Sequence, residues 1–490
     1  MPLSIPTENR ALIVALIVSG ALFMELLDGT VISTALPQIA HSFNERPVDV
    51  NVGMTAYLLT LAVFIPASGW IADRYGARTI FASAIILFTV SSVLCGLSQN
   101  LPEFTAARIL QGIGGAMMVP VGRLVVLRNT AKADLLRAMA FITTPGLIAP
   151  VLGPPVGGFI TTYASWRWIF FLNVPIGVVG LAAVLLCMLE YRAERARPFD
   201  AAGFVLSGSA LGLLMFGFEL LGRADAPWSA VAATLDAGFV LAFFAWRHAN
   251  RHATPMLDLS ALRIPTFATA LIWGGMAFRL VIGAQPLLWP LLFQVGMGMS
   301  PFWSGMLILS CPAGDVATKS FVNPIVRRFG FRNVLTTSVL VICACSAIFV
   351  VIGPGASTVG LVVLLVVMGI FRSLTFTSVN ALGYSDVRPE MMSNASTLVS
   401  TIQQLSFGVA IAFGALLLRG ATFVHGHGAA GVSLDDLHLA FGALTLVCLF
   451  SAVSFWRLQP EAGISVSGAR ANGGAARMDG TDARTDVRAL

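Results

Sequence analysis

Gly69-Trp70-Ile71-Ala72-Asp73-Arg74-Tyr75-Gly76-Ala77-Arg78 lies between two long apolar runs. One acid, two arginines and two glycines in ten residues suit a tight turn in water. The run on either side has the length of about 20 residues that a helix needs to cross hydrocarbon. Working outward, runs of this kind recur along the whole chain of 490 residues, 57% hydrophobic and only 11% charged, with a mean hydropathy of +0.83. A soluble domain carries about 25% charged residues. The runs do not alternate with polar positions as barrel strands do. A helix satisfies its own backbone in lipid. The sequence therefore predicts an all-α integral membrane protein with about fourteen transmembrane helices. The first run follows Arg10, is too long for the core of a signal peptide and contains Glu25 and Asp28, so it is expected to remain as the first span.

The net charge of +6 and pI near 9.3 would suit a nucleic-acid partner, but the distribution argues against one. Of 30 Lys and Arg residues, 22 fall in the tail and on the loop face shared with the termini, Arg123 and Arg128 among them. Four (Arg46, Arg167, Arg223 and Arg419) fall on the other face, and Arg108, Arg279, Lys319 and Arg372 fall within spans. Positive loops stay inside, which predicts cytoplasmic termini in the cytoplasmic (inner) membrane. The six cysteines all fall in apolar runs, where cysteine behaves as a small hydrophobe, so no disulfide or metal site is expected. His425, His427 and His438, beside Asp435 and Asp436, are read as a solvated outer loop, with metal binding the alternative. The expected organisation is a cytoplasmic N-terminus (1–10), a six-helix bundle (11–189), an inserted helix pair with its loops (190–263), a second six-helix bundle (264–458) and a disordered tail (459–490). Internal repetition of this kind is the usual design of secondary transporters.

Three further stretches carry chemistry. Leu27-Asp28-Gly29-Thr30-Val31-Ile32-Ser33-Thr34-Ala35-Leu36-Pro37 places an acid in the outer half of the first span, and Glu25 shares its helical face three residues earlier. A carboxylate at mid-membrane costs about 3 kcal/mol. Arg108, in Arg108-Ile109-Leu110-Gln111-Gly112-Ile113-Gly114-Gly115, should lie at similar depth and offset much of that cost. An acid poised between burial and an arginine can load and release a proton as a cavity changes sides. A static pair that fixes helix packing is the other reading. The third stretch is Gly146 followed by Gly153-Pro154-Pro155-Val156-Gly157-Gly158, whose density of Gly and Pro suits close packing and a bend. At the opening turn, Asp73 can meet the positive N-terminus of a neighbouring helix and latch one state.

Together these stretches resemble the major facilitator superfamily. The Asp73 loop is similar to its signature. The Arg108-Ile109-Leu110-Gln111-Gly112 and Gly153–Gly158 stretches resemble motifs of its drug:proton antiporters. The Leu27–Val31 stretch and Trp166-Arg167-Trp168-Ile169-Phe170-Phe171-Leu172-Asn173-Val174-Pro175 look like the fourteen-helix branch, which includes exporters of quaternary ammonium compounds and other drugs. The resemblance spans roughly residues 10–458 and points to a bacterial source. It implies that Asp28, with Glu25 and Arg108, couples protons; that Gly69, Asp73, Arg74, Gly76 and Arg78 form a conformational latch; and that Gly146, Gly153, Pro154, Pro155, Gly157 and Gly158 form the antiporter bend. Ala77 departs from the signature, which usually has a basic residue there. In the second bundle, Asn323-Pro324-Ile325-Val326-Arg327-Arg328-Phe329-Gly330 occupies the corresponding loop with Arg327 in the aspartate's place.

The second bundle adds Arg279, Asp315, Lys319 and Arg372 within spans. Asp315 and Lys319 share a helical face, and Arg279 is expected further out than the other three. Four such charges must line a cavity or pair, and one acid leaves a positive excess. That excess favours anionic, zwitterionic or neutral amphiphiles over lipophilic cations, unless the charges form a purely structural network. Gln111, Tyr57, Phe141, Phe278, Gln285, Trp289, Asn380 and Gln403 complete a candidate pocket of apolar surface with a few polar groups. Asp236, in the inserted pair, is read as another buried acid without a coupling role.

The function these readings predict is proton-coupled export of small amphipathic molecules, such as drugs or toxic metabolites, by alternating access. The alternative is a proton-coupled importer of an organic anion. No reactive His/Cys/Asp constellation points to an enzyme, and no Gly-x-x-x-x-Gly-Lys-Ser/Thr run points to ATP. The expected partners are a small-molecule substrate, membrane lipid and protons as coupling ion, with no cofactor, no nucleic acid and a monomeric working unit.

Overall fold

The computed structural model describes residues 7–45, 47–130, 134–192, 198–222, 226–426 and 432–467; side chains at 7–11, 33–34, 37, 47–49, 51, 143–147, 150–151, 154, 162, 301–302, 465 and 467 are outside the description. The described residues form helices and turns, with no strand.

The first bundle comprises α1 (Thr7–Phe43), α2 (Val52–Tyr75), α3 (Ala77–Leu97), α4 (Leu101–Asn129), α5 (Leu135–Tyr163) and α6 (Arg167–Cys187). The inserted pair is α7 (Ala201–Gly222) and α8 (Trp228–Arg251). The second bundle comprises α9 (Pro265–Gly296), α10 in two pieces (Pro301–Ile308 and Ser310–Thr318), α11 (Val322–Ile348), α12 (Thr358–Ser385), α13 (Met392–Val424) and α14 (Leu434–Trp456). Each of the fourteen expected spans falls on helix, and 12 of the described helices are long and apolar enough to cross a membrane. The remaining two are α5, where several side chains lie outside the description, and α10, which breaks at Leu309.

Within the first bundle α1 packs on α5, and α4 packs on α2 and α3; within the second, α10 packs on α12, α9 on α13, and α11 on α14. The inserted pair sits to one side: α7 lies against α2 and α13, while α8 packs mainly on α7 and meets α13 at its start, where Arg419 lies 5.6 Å from the Trp228 ring. Asp236 is exposed on α8 rather than buried, because α7 covers one face of that helix and leaves most of the rest open. Thr55 of α2 donates to Glu219 Oε1 of α7 at 2.7 Å and so ties the pair to the first bundle.

The two halves repeat one device. Gly76 ends α2 with φ of 100°, and Gly330 breaks α11 with φ of 74°. These angles favour glycine, which lacks the Cβ that clashes there. The second glycine falls at the corresponding position of the second loop, where Arg327 replaces Asp73. Residues 459–467, expected to begin the disordered tail, are turn and short helix instead, ending in Ile464–Ser467 with Val466 buried. The rest of the tail, 468–490, lies outside the described residues.

Candidate functional site

The structure joins α1, α3, α4 and α6 through one buried carboxylate. Asp28 is 2% exposed and Arg108 is 1% exposed. Arg108 Nη1 donates to Asp28 Oδ2 at 2.7 Å, and Oδ1 accepts from Gln111 Nε2 at 3.0 Å and Asn173 Nδ2 at 2.8 Å. Ser92 Oγ accepts from the same two amides at 2.8 and 3.2 Å. Tyr57 of α2 lays its ring 4.2 Å from the Arg108 guanidinium, a cation–π contact. Every polar group nearest Asp28 is a donor, so the ionised carboxylate is well satisfied. Glu25, buried on the same face, differs. Its Oε2 has no hydrogen-bond partner among the described residues.

Packing explains how α5 reaches this cluster. A Cβ on Gly153 would collide with Thr30, which donates to the Ala149 carbonyl at 3.2 Å. Gly157 is buried and its carbonyl accepts from Thr161, Gly158 has open space, and Pro155 is exposed. Of these, Gly153 is thus the position where close approach requires glycine. Gly146 and Pro154 lie outside the residues whose side chains are described.

The Asp73 loop holds its own bundle together and also touches the other. Asp73 accepts from Arg128 Nη2 at 3.4 Å, and Arg128 stacks 3.5 Å from the Tyr191 ring centre. Arg78 donates to the Leu185 carbonyl, and its backbone N–H reaches Glu190 Oε1 at 3.2 Å. Arg74 is exposed. Gly69 makes the contact between bundles: a Cβ there would collide with Thr397 and Ser393 of α13. Ser393 Oγ donates to the Gly69 carbonyl at 3.2 Å, Ser68 and Thr397 hydroxyls lie 3.4 Å apart, and Ser396 Oγ donates to the Pro120 carbonyl at 2.7 Å. Arg123 Nη1 and Nη2 reach Ser400 Oγ at 3.3 Å and Gln403 Oε1 at 2.8 Å. These contacts close the gap between the two bundles on the Asp73 side. A polar cavity of about 590 Å³ opens beside them, lined by Trp70, Asp73, Arg128, Asp200 and Glu390 among others.

The charges of the second bundle separate into two groups. Asp315 is bound by Arg372 through a two-point ion pair, with Nε to Oδ1 at 3.2 Å. Lys319, on the same helical face as Asp315, donates to Thr377 Oγ1 at 3.1 Å. Arg279 stands apart and was expected further out. Its side chain leans back toward the helix N-terminus, as helical side chains do, and Nη1 donates to the Leu271 carbonyl at 3.3 Å. Asn380 joins this second group through Gln403, whose Nε2 donates to its Oδ1 at 2.9 Å.

The remaining pocket candidates do not converge. Gln111 and Tyr57 belong to the Asp28 cluster. Phe278 and Gln285 are buried in the second bundle, with Gln285 Nε2 at 3.8 Å from Met368 Sδ. Trp289 packs against Phe349 with ring centres 6.4 Å apart. Phe141 lies on α5, where its carbonyl accepts from Ser19.

Four functional candidates were not singled out from sequence. Asn173 and Ser92 bind the Asp28 cluster, and Asn173 does sit in the quoted Trp166–Pro175 stretch. Glu219 is an acid inside an apolar run, the same signal that marked Asp28. Arg123 was counted with the loops, yet it is buried at the bundle interface. Outside the spans, Asp200 accepts from His248 Nε2 at 2.9 Å, and His252 stacks on His248 at 5.0 Å. These three side chains come within 4.8 Å of one another. Their atoms are already engaged: Asp200 also accepts from the Gly203 and Met256 N–H groups, and His252 Nδ1 from Thr254 N–H. Around the α13–α14 connection His425 bonds Asp436 at 2.7 Å and His438 of α14 bonds the Ile352 carbonyl at 2.8 Å, while His427 lies outside the described residues. All six cysteines are free.

Comparison with known proteins agrees with this architecture. The Major Facilitator Superfamily matches residues 18–411. MdtD of Pectobacterium atrosepticum, named for multidrug resistance, is 35% identical over 445 residues, covering 91% of this chain and 95% of its own. MdtD of Salmonella typhimurium, named likewise, is 39% identical over 407 residues, covering 82% of this chain and 85% of its own. Two solved structures share the fold at low identity. The human organic anion transporter MFSD10 is 15% identical with a TM-score of 0.58, covering 92% of this chain and 100% of its own. The proton:xylose symporter XylE is 14% identical with a TM-score of 0.60, covering 94% of this chain and 98% of its own. Matched along most of its length in both sequence and fold, the chain is a multi-pass membrane transporter rather than an enzyme, and it belongs to the major facilitator superfamily.

Proposed function

We propose that the chain is a proton-coupled antiporter that exports small amphipathic molecules, such as drugs or toxic metabolites, across the cytoplasmic membrane, with both termini in the cytoplasm. The observation that carries this reading is the Asp28 cluster. One carboxylate on α1 binds Arg108 and Gln111 on α4 and Asn173 on α6, all within the first bundle. A proton on Asp28 removes the charge that holds Arg108 and turns an acceptor into a donor facing donors. The cluster must then rearrange, and with it the packing of α1 on α4 and α6. Glu25 sits one turn away, and a proton on its unpartnered Oε2 breaks no hydrogen bond, so it can serve as the way station. Protons are the coupling ion, and no cofactor takes part.

The mechanism is alternating access. The contacts of Gly69, Ser68, Pro120 and Arg123 with α13 hold the Asp73 side shut in one state. Protonation from outside accompanies substrate release there; loss of the proton to the cytoplasm accompanies reopening of the Asp73 side. The names of the MdtD relatives support drug-like substrates. The test is transport in proteoliposomes under an imposed pH gradient, with cationic, neutral and anionic amphiphiles, comparing wild type with Asp28→Asn. Gradient-driven counterflow that the variant loses supports the reading; full counterflow in the variant makes Asp28 structural. Movement of substrate with the proton, rather than against it, identifies an importer.

A further inference from the structure

Two buried arginines flank the closed bundle interface, and among the described residues neither is paired with an acid. Arg123 on α4 and Arg279 on α9 are each 7% exposed. Gln403 links them: its Oε1 accepts from Arg123, its Nε2 donates to Asn380, and Asn380 lines one small cavity with Arg279 and Tyr384. Their hydrogen-bond partners are neutral: Ser400 and Gln403 for Arg123, the Leu271 carbonyl for Arg279. The Nε of Arg279 is buried with no partner among the described residues. It borders a cavity of about 10 Å³, walled by Leu271, Asn380, Gly383, Tyr384 and Val399. Leu271 belongs to a π-helical turn, Thr269–Trp273, a local widening that occurs often at functional sites.

Like charges buried together with neutral acceptors are costly unless something anionic relieves them. Guanidinium groups bind carboxylate, sulfonate and phosphate oxygens through paired N–H donors. In the alternating-access cycle proposed above, opening of the Asp73 side moves α13 off α4. Arg123 then loses Ser400 and Gln403, and both guanidinium groups face the widening mouth. We propose that Arg123 and Arg279 form an anion site at the cytoplasmic mouth, which recruits amphiphiles bearing a carboxylate or sulfonate head. On closure Ser400 and Gln403 replace the anion on Arg123, and the substrate is passed inward. The site is separate from the Asp315–Arg372 pair, whose charges already match. This inference rests on the alternating-access reading given above.

The probes are naphthalene-2-sulfonate, anionic throughout the working pH range, and its neutral isostere naphthalene-2-sulfonamide. Binding of both is measured by equilibrium dialysis on purified full-length protein, without a gradient. Flux of the sulfonate is measured in proteoliposomes with one. The wild type is expected to bind the sulfonate about tenfold more tightly than the sulfonamide, from one added set of charge-assisted bonds. Arg279→Gln should erase that preference and leave sulfonamide binding unchanged, which also reports that the variant is folded; Arg123→Gln, which also loosens the closed face, should erase the preference whatever the affinity for the sulfonamide becomes. Arg279→Lys should keep part of the preference. A wild type without preference overturns the proposal, as does a preference that survives both glutamine variants. If Arg279→Gln does not fold, Arg123→Gln decides. Preference in binding without gradient-driven flux would instead count against the antiport reading and leave the anion site standing.

Discussion

Asp28→Asn is expected to unbalance the first bundle as well as stop transport. The carboxylate accepts from Arg108 at 2.7 Å, Asn173 at 2.8 Å and Gln111 at 3.0 Å. Asparagine keeps one acceptor oxygen and turns an NH2 group toward these donors. Arg108, 1% exposed, is left as a charge without a counter-charge. Breaking a buried pair by removing one partner costs about 3–5 kcal/mol. The double variant Asp28→Asn/Arg108→Gln removes the stranded charge, and only mismatched polar groups remain, at about 1–3 kcal/mol. The double variant should therefore be more stable than the single one, while neither transports against a pH gradient. Reversible unfolding in mixed micelles gives the stabilities, and the double-mutant cycle gives the coupling. The reasoning fails if the single variant is within about 1 kcal/mol of wild type, or if the double variant is no more stable than the single.

Gly69→Leu should prevent closure on the Asp73 side, because its side chain would enter the space of Thr397 and Ser393; labelling of a cysteine at position 393 should rise, and unchanged labelling would show that the interface yields. Asp315→Asn should destabilise through the stranded Arg372, and Arg372→Gln in the same chain should recover much of the loss; recovered transport in the double variant would show the pair to be structural, lost transport that it serves substrate. Asp200, one residue before α7, is buried, which alone would raise its pKa, but the N–H groups of Gly203 and Met256 and the His248 ring outweigh this and hold it below the usual aspartate range. Its stabilising effect should be complete above the unfolded carboxyl's pKa of about 3.9 and be lost as pH falls through the lower folded value. Asp200→Asn should thus weaken the protein at pH 7 and match wild type in acid; a difference independent of pH would remove the carboxylate from the account.

The span pattern and the Asp28–Arg108 pair were readable because charge in an apolar run is expensive and must have a reason, whereas Gln111, read as a pocket residue, binds Asp28 instead. Spacing along one helix also carried Asp315 and Lys319 to a shared face. Partner choice was not readable in the same way. Asp315 takes Arg372, 57 residues away, and Lys319 turns to Thr377. Arg123 was counted with the basic residues of the face shared with the termini; position along the span does not show that α13 covers it, through Ser400 and Gln403. Rise per residue placed the backbone of Arg279, but a long side chain moves its charge several ångströms along the helix. Asn173 and Ser92 are neutral and small, and polar residues of that kind occur throughout membrane helices. Asp236 looked buried because hydropathy shows that a residue lies in a span, whereas exposure depends on how many neighbours the span has.

The composition of the closed face has a thermodynamic consequence. Its direct bonds come from serine and threonine hydroxyls, one amide and a guanidinium, against two backbone carbonyls. Water can replace each of these partners, so each bond contributes only about 0.5–1.5 kcal/mol net. Leucines across the same gap would seal it and demand a much larger input to part. With exchangeable polar partners instead, wetting is nearly isoergonic with closure. A single proton or one bound anion is then a large enough perturbation to reverse the balance of populations.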